Sequence, residues 1–177
     1  SEMCIRDRGM TEIKVVIGPE TVRSYKRLAY EAWWALAEFI DNSTQSYMSN
    51  RAELDAIIDK KGERFEVFLA YDRDQRELRI SDNAMGMSLE EITKAVLIGS
   101  PPADASGRHE FGMGLKTAAC WLGDRWTLRT TKLGDQNEYS IEFDVERVAS
   151  GDTDLRLRTS PVENDSHYTI LTITQMH

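Results

Sequence analysis

A chain of 177 residues, 41% hydrophobic and 29% charged, is long enough to bury a core without a disulfide or metal staple, and its composition excludes disordered, collagen-like and small disulfide-scaffold classes. Its 30 Asp and Glu against 22 Lys and Arg leave a net charge of −8, which disfavours a nucleic-acid-coating surface, because backbone binding runs on clustered Lys and Arg. Cys4 and Cys120 lack CxxC spacing and no apolar run approaches the roughly 20 residues of a membrane span, so the expectation is a cytoplasmic protein with no membrane contact, zinc site or disulfide framework.

Residues 1–9 carry charges in no periodic pattern and read as a non-native or disordered leader, which leaves 10–177 as one unit without repeats or linkers. From Thr21 to about Ser49 the positions Leu28, Trp33, Leu36, Ala37 and Ile40 follow a helical period with no Pro or Gly, predicting one long helix. A polar helix over about 51–60 ends at Gly62. Phe65 to Tyr71 and Glu77 to Ser81 read as a hairpin around Asp72-Arg73-Asp74-Gln75. Ser88-Leu89-Glu90-Glu91 is a capping-box pattern that starts a short helix to about Leu97. Residues 98–110, with Gly99, Pro101, Pro102 and Gly107, read as an irregular, mobile loop before a helix from Gly112 to Leu122. Alternating stretches then follow at Arg125–Lys132, Glu138–Asp144, Asp154–Thr159 and Tyr168–Thr174. Interleaved helices and hairpins predict an α+β two-layer sandwich, a mostly antiparallel mixed sheet with helices on one face.

Three short segments stand out. Glu38 and Asn42 are i and i+4 and share one helix face. Such pairs are ordinarily a solvated stripe, but here they sit among Trp33, Trp34, Leu36 and Ile40. Ser81-Asp82-Asn83-Ala84-Met85-Gly86-Met87 closes a strand; Asp, Asn and Gly make a turn by themselves. The same residues meet the needs of an adenine pocket, with a carboxylate for the exocyclic amine, a glycine for close ring approach and a soft apolar wall. Gly107-Arg108-His109-Glu110-Phe111-Gly112-Met113-Gly114-Leu115-Lys116-Thr117 is a glycine-bearing loop opening a helix. It is at least a flexible cap, and its exposed amides and helix dipole suit an oligophosphate. It is neither a Walker A loop, since Lys116 follows Leu115, nor GxGxxG, since Thr117 holds the third position.

In this order and spacing the segments resemble the N box, adenine box and glycine-rich lid box of the GHKL ATPase superfamily, which includes gyrase-type topoisomerases, heat-shock chaperones, histidine kinases, MutL-type repair proteins and MORC proteins. The resemblance spans about residues 20–175 and is nearest to MORC- and chaperone-like members. It implies ATP and Mg²⁺ as ligands, with Glu38 as the base for the water that attacks the γ-phosphate and Asn42 as the metal ligand. It further implies that Asp82 reads the adenine amine, Gly86 and Met87 line the ring, and Gly107, Gly112 and Gly114 cover the phosphates. Thr169 falls on the adenine-side strand. Lys116, in an exposed first turn, reads as a surface lysine, while the resemblance puts it in the lid helix within reach of phosphate. Three positions depart from the family pattern: Gln45 for Asp, Ala84 for Gly and Tyr168 for Gly.

The activity so implied is slow, Mg-dependent ATP hydrolysis with lid closure coupled to homodimerisation on ATP binding or to a further C-terminal domain or partner. No nucleic acid is expected on this domain alone. The alternatives are a nucleotide-gated module without appreciable hydrolysis and a histidine-kinase catalytic domain; Glu38 argues against the latter, because transfer to His needs no activated water.

Overall fold

The computed structural model describes residues 10–14, 19–25, 31–96 and 113–177. Seven strands form its sheet: β1 (Met10–Lys14), β2 (Val67–Asp72), β3 (Glu77–Asp82), β4 (Gly123–Thr131), β5 (Asn137–Asp144), β6 (Asp154–Pro161) and β7 (Tyr168–Met176), in the order β1-β6-β5-β4-β7-β3-β2. Every pairing is antiparallel, so the sheet is uniform rather than mixed.

Strand alternation explains the two layers. Trp126, Leu128, Ile141, Phe143, Leu157 and Ile173 point to one face and are buried, while their neighbours Arg125, Arg129, Glu142, Arg156 and Arg158 point to the other and are exposed. Trp126 and Phe143 sit opposite each other in register and stack with centroids 4.6 Å apart. Onto the apolar face pack α1 (Pro19–Tyr25), α2 (Ala32–Ser49), α4 (Leu89–Val96), α5 (Met113–Leu122) and α6 (Val145–Ala149), with Val22, Phe39, Ile92, Ala118 and Val145 joining the same core. The sixth helix, α3 (Arg51–Lys61), contributes to a separate small cluster of Leu54, Ile58 and Met85, flanked by Tyr47, Phe65 and Leu133.

Local chemistry matches several predicted boundaries. Ser88 and Glu91 exchange backbone-to-side-chain bonds of 2.7 and 3.3 Å, a reciprocal capping box at the start of α4. Gly62 closes α3 in the left-handed region at φ 67°.

The single helix expected over Thr21–Ser49 is instead two. Glu31 is extended at φ −102° and ψ 141°, and α1 packs chiefly on α6 whereas α2 packs chiefly on α5, so the apolar period continues across a change of packing partner. Two elements lay beyond the sequence reading. β1 pairs with β6 from Met10 opposite Arg158 to Lys14 opposite Asp154, and α6 is a single turn capped by the Asp144 carboxylate on the Arg147 amide at 3.0 Å. The predicted loop at 98–110, Gly107 and Gly112 lie outside the described residues. Among the described residues, no helix is long and apolar enough to cross a membrane.

Candidate functional site

Helix α2 buries Ala35, Phe39 and Ser43, a stripe at four-residue spacing that faces the core. Glu38 and Asn42 each precede a member of that stripe, so both lie half-buried at its edge. The apolar neighbours do not enclose Glu38, since Trp33, Trp34 and Ile40 are exposed. Enclosure comes from α5: a Cβ built on Gly114 would fall 2.1 Å from Glu38 Oε2, so the carboxylate rests on a surface only glycine leaves open. This contact brings the first residue of the predicted N box to the first turn of the predicted lid helix.

Ser43, the residue after Asn42, connects the second motif. Its hydroxyl lies 2.6 Å from Asp82 Oδ2 and 3.1 Å from the Phe39 carbonyl oxygen. The other carboxylate oxygen of Asp82 accepts the Ala84 amide at 3.0 Å. Burial pushes the Asp82 carboxyl above its ordinary value of 3.8, while the bonds from Ser43 and from the Ala84 and Thr169 amides, and the nearby His167, oppose that rise without cancelling it. A carboxyl held in this way is a directed acceptor in a region of low polarity.

The loop after Asp82 is fixed on every side. The Asn83 side chain takes the Glu66 amide at 2.8 Å and donates to the Arg64 carbonyl at 2.9 Å. The Met85 carbonyl accepts the Leu133 amide at 3.0 Å, and the Met87 amide donates to Thr130 Oγ1 at 2.9 Å. Gly86 has φ 73°, and a Cβ there would fall 1.8 Å from the Thr131 carbonyl oxygen. Its glycine is therefore demanded by the β4 backbone. Ala84 keeps a negative φ, so replacing the family's glycine costs nothing locally.

Strand register supplies the rest. Thr169 on β7 stands opposite both Asp82 on β3 and Thr130 on β4, and its hydroxyl is 3.2 Å from Thr130 Oγ1. Thr130 is fully buried and also donates to the Tyr168 carbonyl at 2.8 Å. Tyr168 points to the opposite face of the sheet, where its hydroxyl donates to Glu138 at 2.5 Å beside Arg129, which holds the same carboxylate at 2.8 and 3.3 Å. The departure from glycine at this position thus leaves the Asp82 side of the sheet unobstructed.

Lys116 differs from the surface lysine expected of a first turn: it is 3% exposed. The structure sets Glu38 against Gly114 between α2 and α5 and brings Asp82 and Thr169 into register between β3 and β7, with Gly86 against the Thr131 carbonyl and the Met87 amide on Thr130; Asn42 is half-buried one turn beyond Glu38 on α2, and Lys116 is buried two residues beyond Gly114 on α5. Ser43, Asn83, Thr130 and His167 were missed as site residues. Ser43 adjoins Asn42 and His167 adjoins the last strand, but only register reveals Thr130. Among the described residues no three His, Cys, Asp or Glu side chains converge as a metal cage. The single amide donor of Asn42 suits Mg²⁺, which keeps most of its shell as water and phosphate oxygen.

Comparison with known proteins identifies the family. Residues 30–169 match the family described as histidine kinase-, DNA gyrase B-, and HSP90-like ATPase. The chain is 26% identical over 140 residues to the chaperone protein HtpG of Nitrosomonas eutropha, covering 70% of this chain and 21% of HtpG. It is 35% identical over 100 residues to HtpG of Serratia proteamaculans, covering 49% of this chain and 16% of that protein. It therefore spans about a fifth of the length of these relatives. With the α+β antiparallel sandwich and a family match across most of its length, the chain belongs to the histidine kinase-, DNA gyrase B- and HSP90-like ATPases, the GHKL superfamily.

Proposed function

We propose that residues 10–177 form a nucleotide-binding unit that binds ATP with Mg²⁺ and hydrolyses it slowly. The observation that carries this reading is the contact of Glu38 with Gly114 together with the Ser43–Asp82 bond, which joins three separated motifs along α2. In this reading the half-buried Asp82 carboxylate accepts the adenine amine, with Thr169 beside it and Gly86 and Met87 along the ring. Asn42 offers its amide oxygen to Mg²⁺, which supplies charge neutralisation on the phosphate oxygens when bound. Lys116 contacts phosphate, and Gly107, Gly112 and Gly114 contribute backbone amides.

Glu38 acts as general base. It takes a proton from the attacking water as the new bond to the γ-phosphorus forms and the bridging bond to the β-phosphate breaks, releasing ADP and phosphate. Exchange between ATP and ADP then biases a lid and, through it, homodimerisation or a further domain or partner protein. We assign this activity to the cytoplasm, a compartment in which the buried Cys120 thiol stays reduced.

Calorimetry and phosphate release on two variants test the reading. Asp82→Asn is expected to abolish ATP binding, and Glu38→Ala to keep binding while turnover falls by about 10²-fold or more, the scale of a lost general base. Unchanged turnover in Glu38→Ala would remove the base assignment. Binding without phosphate release in the wild type would favour a nucleotide-gated module.

A further inference from the structure

His167 is 5% exposed, precedes β7, and has a role that neither the three motifs nor the hydrolytic chemistry requires. Its Nδ1 lies 2.9 Å from the Ala84 carbonyl oxygen. A carbonyl can only accept, so Nδ1 carries the proton in this contact, whichever state Nε2 is in. The same Ala84 residue donates its amide to Asp82 Oδ1 at 3.0 Å. One residue therefore hangs between the Asp82 carboxylate on its amide side and the His167 ring on its carbonyl side. Two residues beyond His167, the Thr169 amide reaches the same carboxylate. The imidazole thus holds together the two chain segments that orient Asp82.

We infer that His167 is a positioning residue for base recognition: its Nδ1–H anchors the Ala84 peptide and so aims the Asp82 carboxylate at the exocyclic amine of the purine. The inference rests on the proposed reading of Asp82. The chemistry asks for a donor attached to Cγ, a geometry asparagine reproduces and glutamine, whose amide lies one carbon further out, does not. Loss of the anchor loosens one bond of the carboxylate's frame and blunts discrimination between purines that carry an amine and purines that do not. It leaves phosphate contacts alone.

The test is calorimetric affinity of the full chain, wild type, His167→Asn and His167→Gln, for ATP and for inosine triphosphate, in which an oxygen replaces the amine. The wild type is expected to prefer ATP. His167→Asn should keep that preference, and His167→Gln should lose about tenfold of it, the scale of one hydrogen bond, mainly through weaker ATP binding. Thermal melts report whether both variants fold, and uniform weakening toward both nucleotides would reveal a merely structural role and overturn the inference. So would an unchanged preference in His167→Gln or equal losses in the two variants. A wild type that does not distinguish the nucleotides would instead remove the reading of Asp82, and the inference with it. Independently of any variant, ¹⁵N spectra of histidine-labelled protein should show His167 protonated at Nδ1; a bare Nδ1 overturns the assignment. Only three histidines need be assigned.

Discussion

The carboxylate of Glu38 lies against the α-carbon of Gly114, so closely that a Cβ on Gly114 would fall 2.1 Å from Oε2 and 3.0 Å from Cδ. What such a Cβ would displace is the far end of a flexible side chain, so the fold itself is spared. Alanine also favours a helix over glycine by about 0.5–1 kcal/mol. Gly114→Ala is therefore expected to melt no lower than wild type and to keep ATP affinity. Phosphate release should fall by at least about tenfold, because a base contributing roughly 10²–10⁴ is sensitive to displacement. Unchanged turnover would show that Glu38 has another role.

Asp82 gives a prediction with the opposite sign for stability and for binding. Its folded pKa is raised above the ordinary 3.8, chiefly by burial, so the fold favours the protonated form. The resulting destabilisation is complete above the raised pKa and disappears as pH falls toward 3.8. Asp82→Asn is neutral at every pH and keeps an acceptor for the Ala84 amide. Urea unfolding without nucleotide should show it at least as stable as wild type at pH 7, with the difference shrinking in acid. Calorimetry should show no ATP binding. A variant markedly less stable than wild type at neutral pH would mean that its hydrogen bonds outweigh the burial of its charge.

Much of this framework is legible in the residues themselves. The alternation of Trp126, Leu128 and Thr130 marks β4, and Ser88 with Glu91 marks the start of α4, because period and capping are local properties. The break near Glu31 is not legible in that way, since both helices carry apolar periodicity and only their different partners separate them. β1 and α6 are too short for a period to accumulate. In the site, the residue types of Glu38, Asn42 and Asp82 announce chemistry. Thr130 and His167 do not, because their contacts arise from the β4–β7 register and from a loop 83 residues away in sequence. Gly86 was legible as a glycine but for another reason: its neighbour is the Thr131 carbonyl.

Tyr168 carries a prediction confined to the far side of the sheet. Burial, aided by the bond to Glu138, pushes its phenol up to about 12. The neutral phenol is the form the fold favours, so its contribution is fully present below 10.0 and is lost as pH rises toward about 12. Tyr168→Phe should cost about 1 kcal/mol at neutral pH, one net hydrogen bond, while Arg129 still satisfies Glu138. The variant should lack the wild-type loss of stability in that alkaline window, and its ATP affinity should be unchanged, because successive strand side chains point to opposite faces. Weakened ATP binding would show that the Tyr168–Glu138 bond sets the register of Thr169 against Asp82.

Lys116 separates two explanations of a buried charge. Placing an ammonium in the interior is costly, and replacing buried charged groups by apolar ones of similar volume is often neutral or stabilising. Lys116, two residues beyond Gly114 on α5, is only 3% exposed, so its side chain is held inside the protein. If its charge serves phosphate, Lys116→Met should hold or raise the unfolding midpoint and weaken ATP binding by about tenfold or more, the scale of a hydrogen bond to a charged group, with adenosine affinity unchanged. If its charge serves the fold, Lys116→Met should lower the midpoint and affect ATP and adenosine alike. Paired melts and calorimetry with the two ligands distinguish these outcomes, because adenosine retains every group that Asp82 can read and none that Lys116 can neutralise.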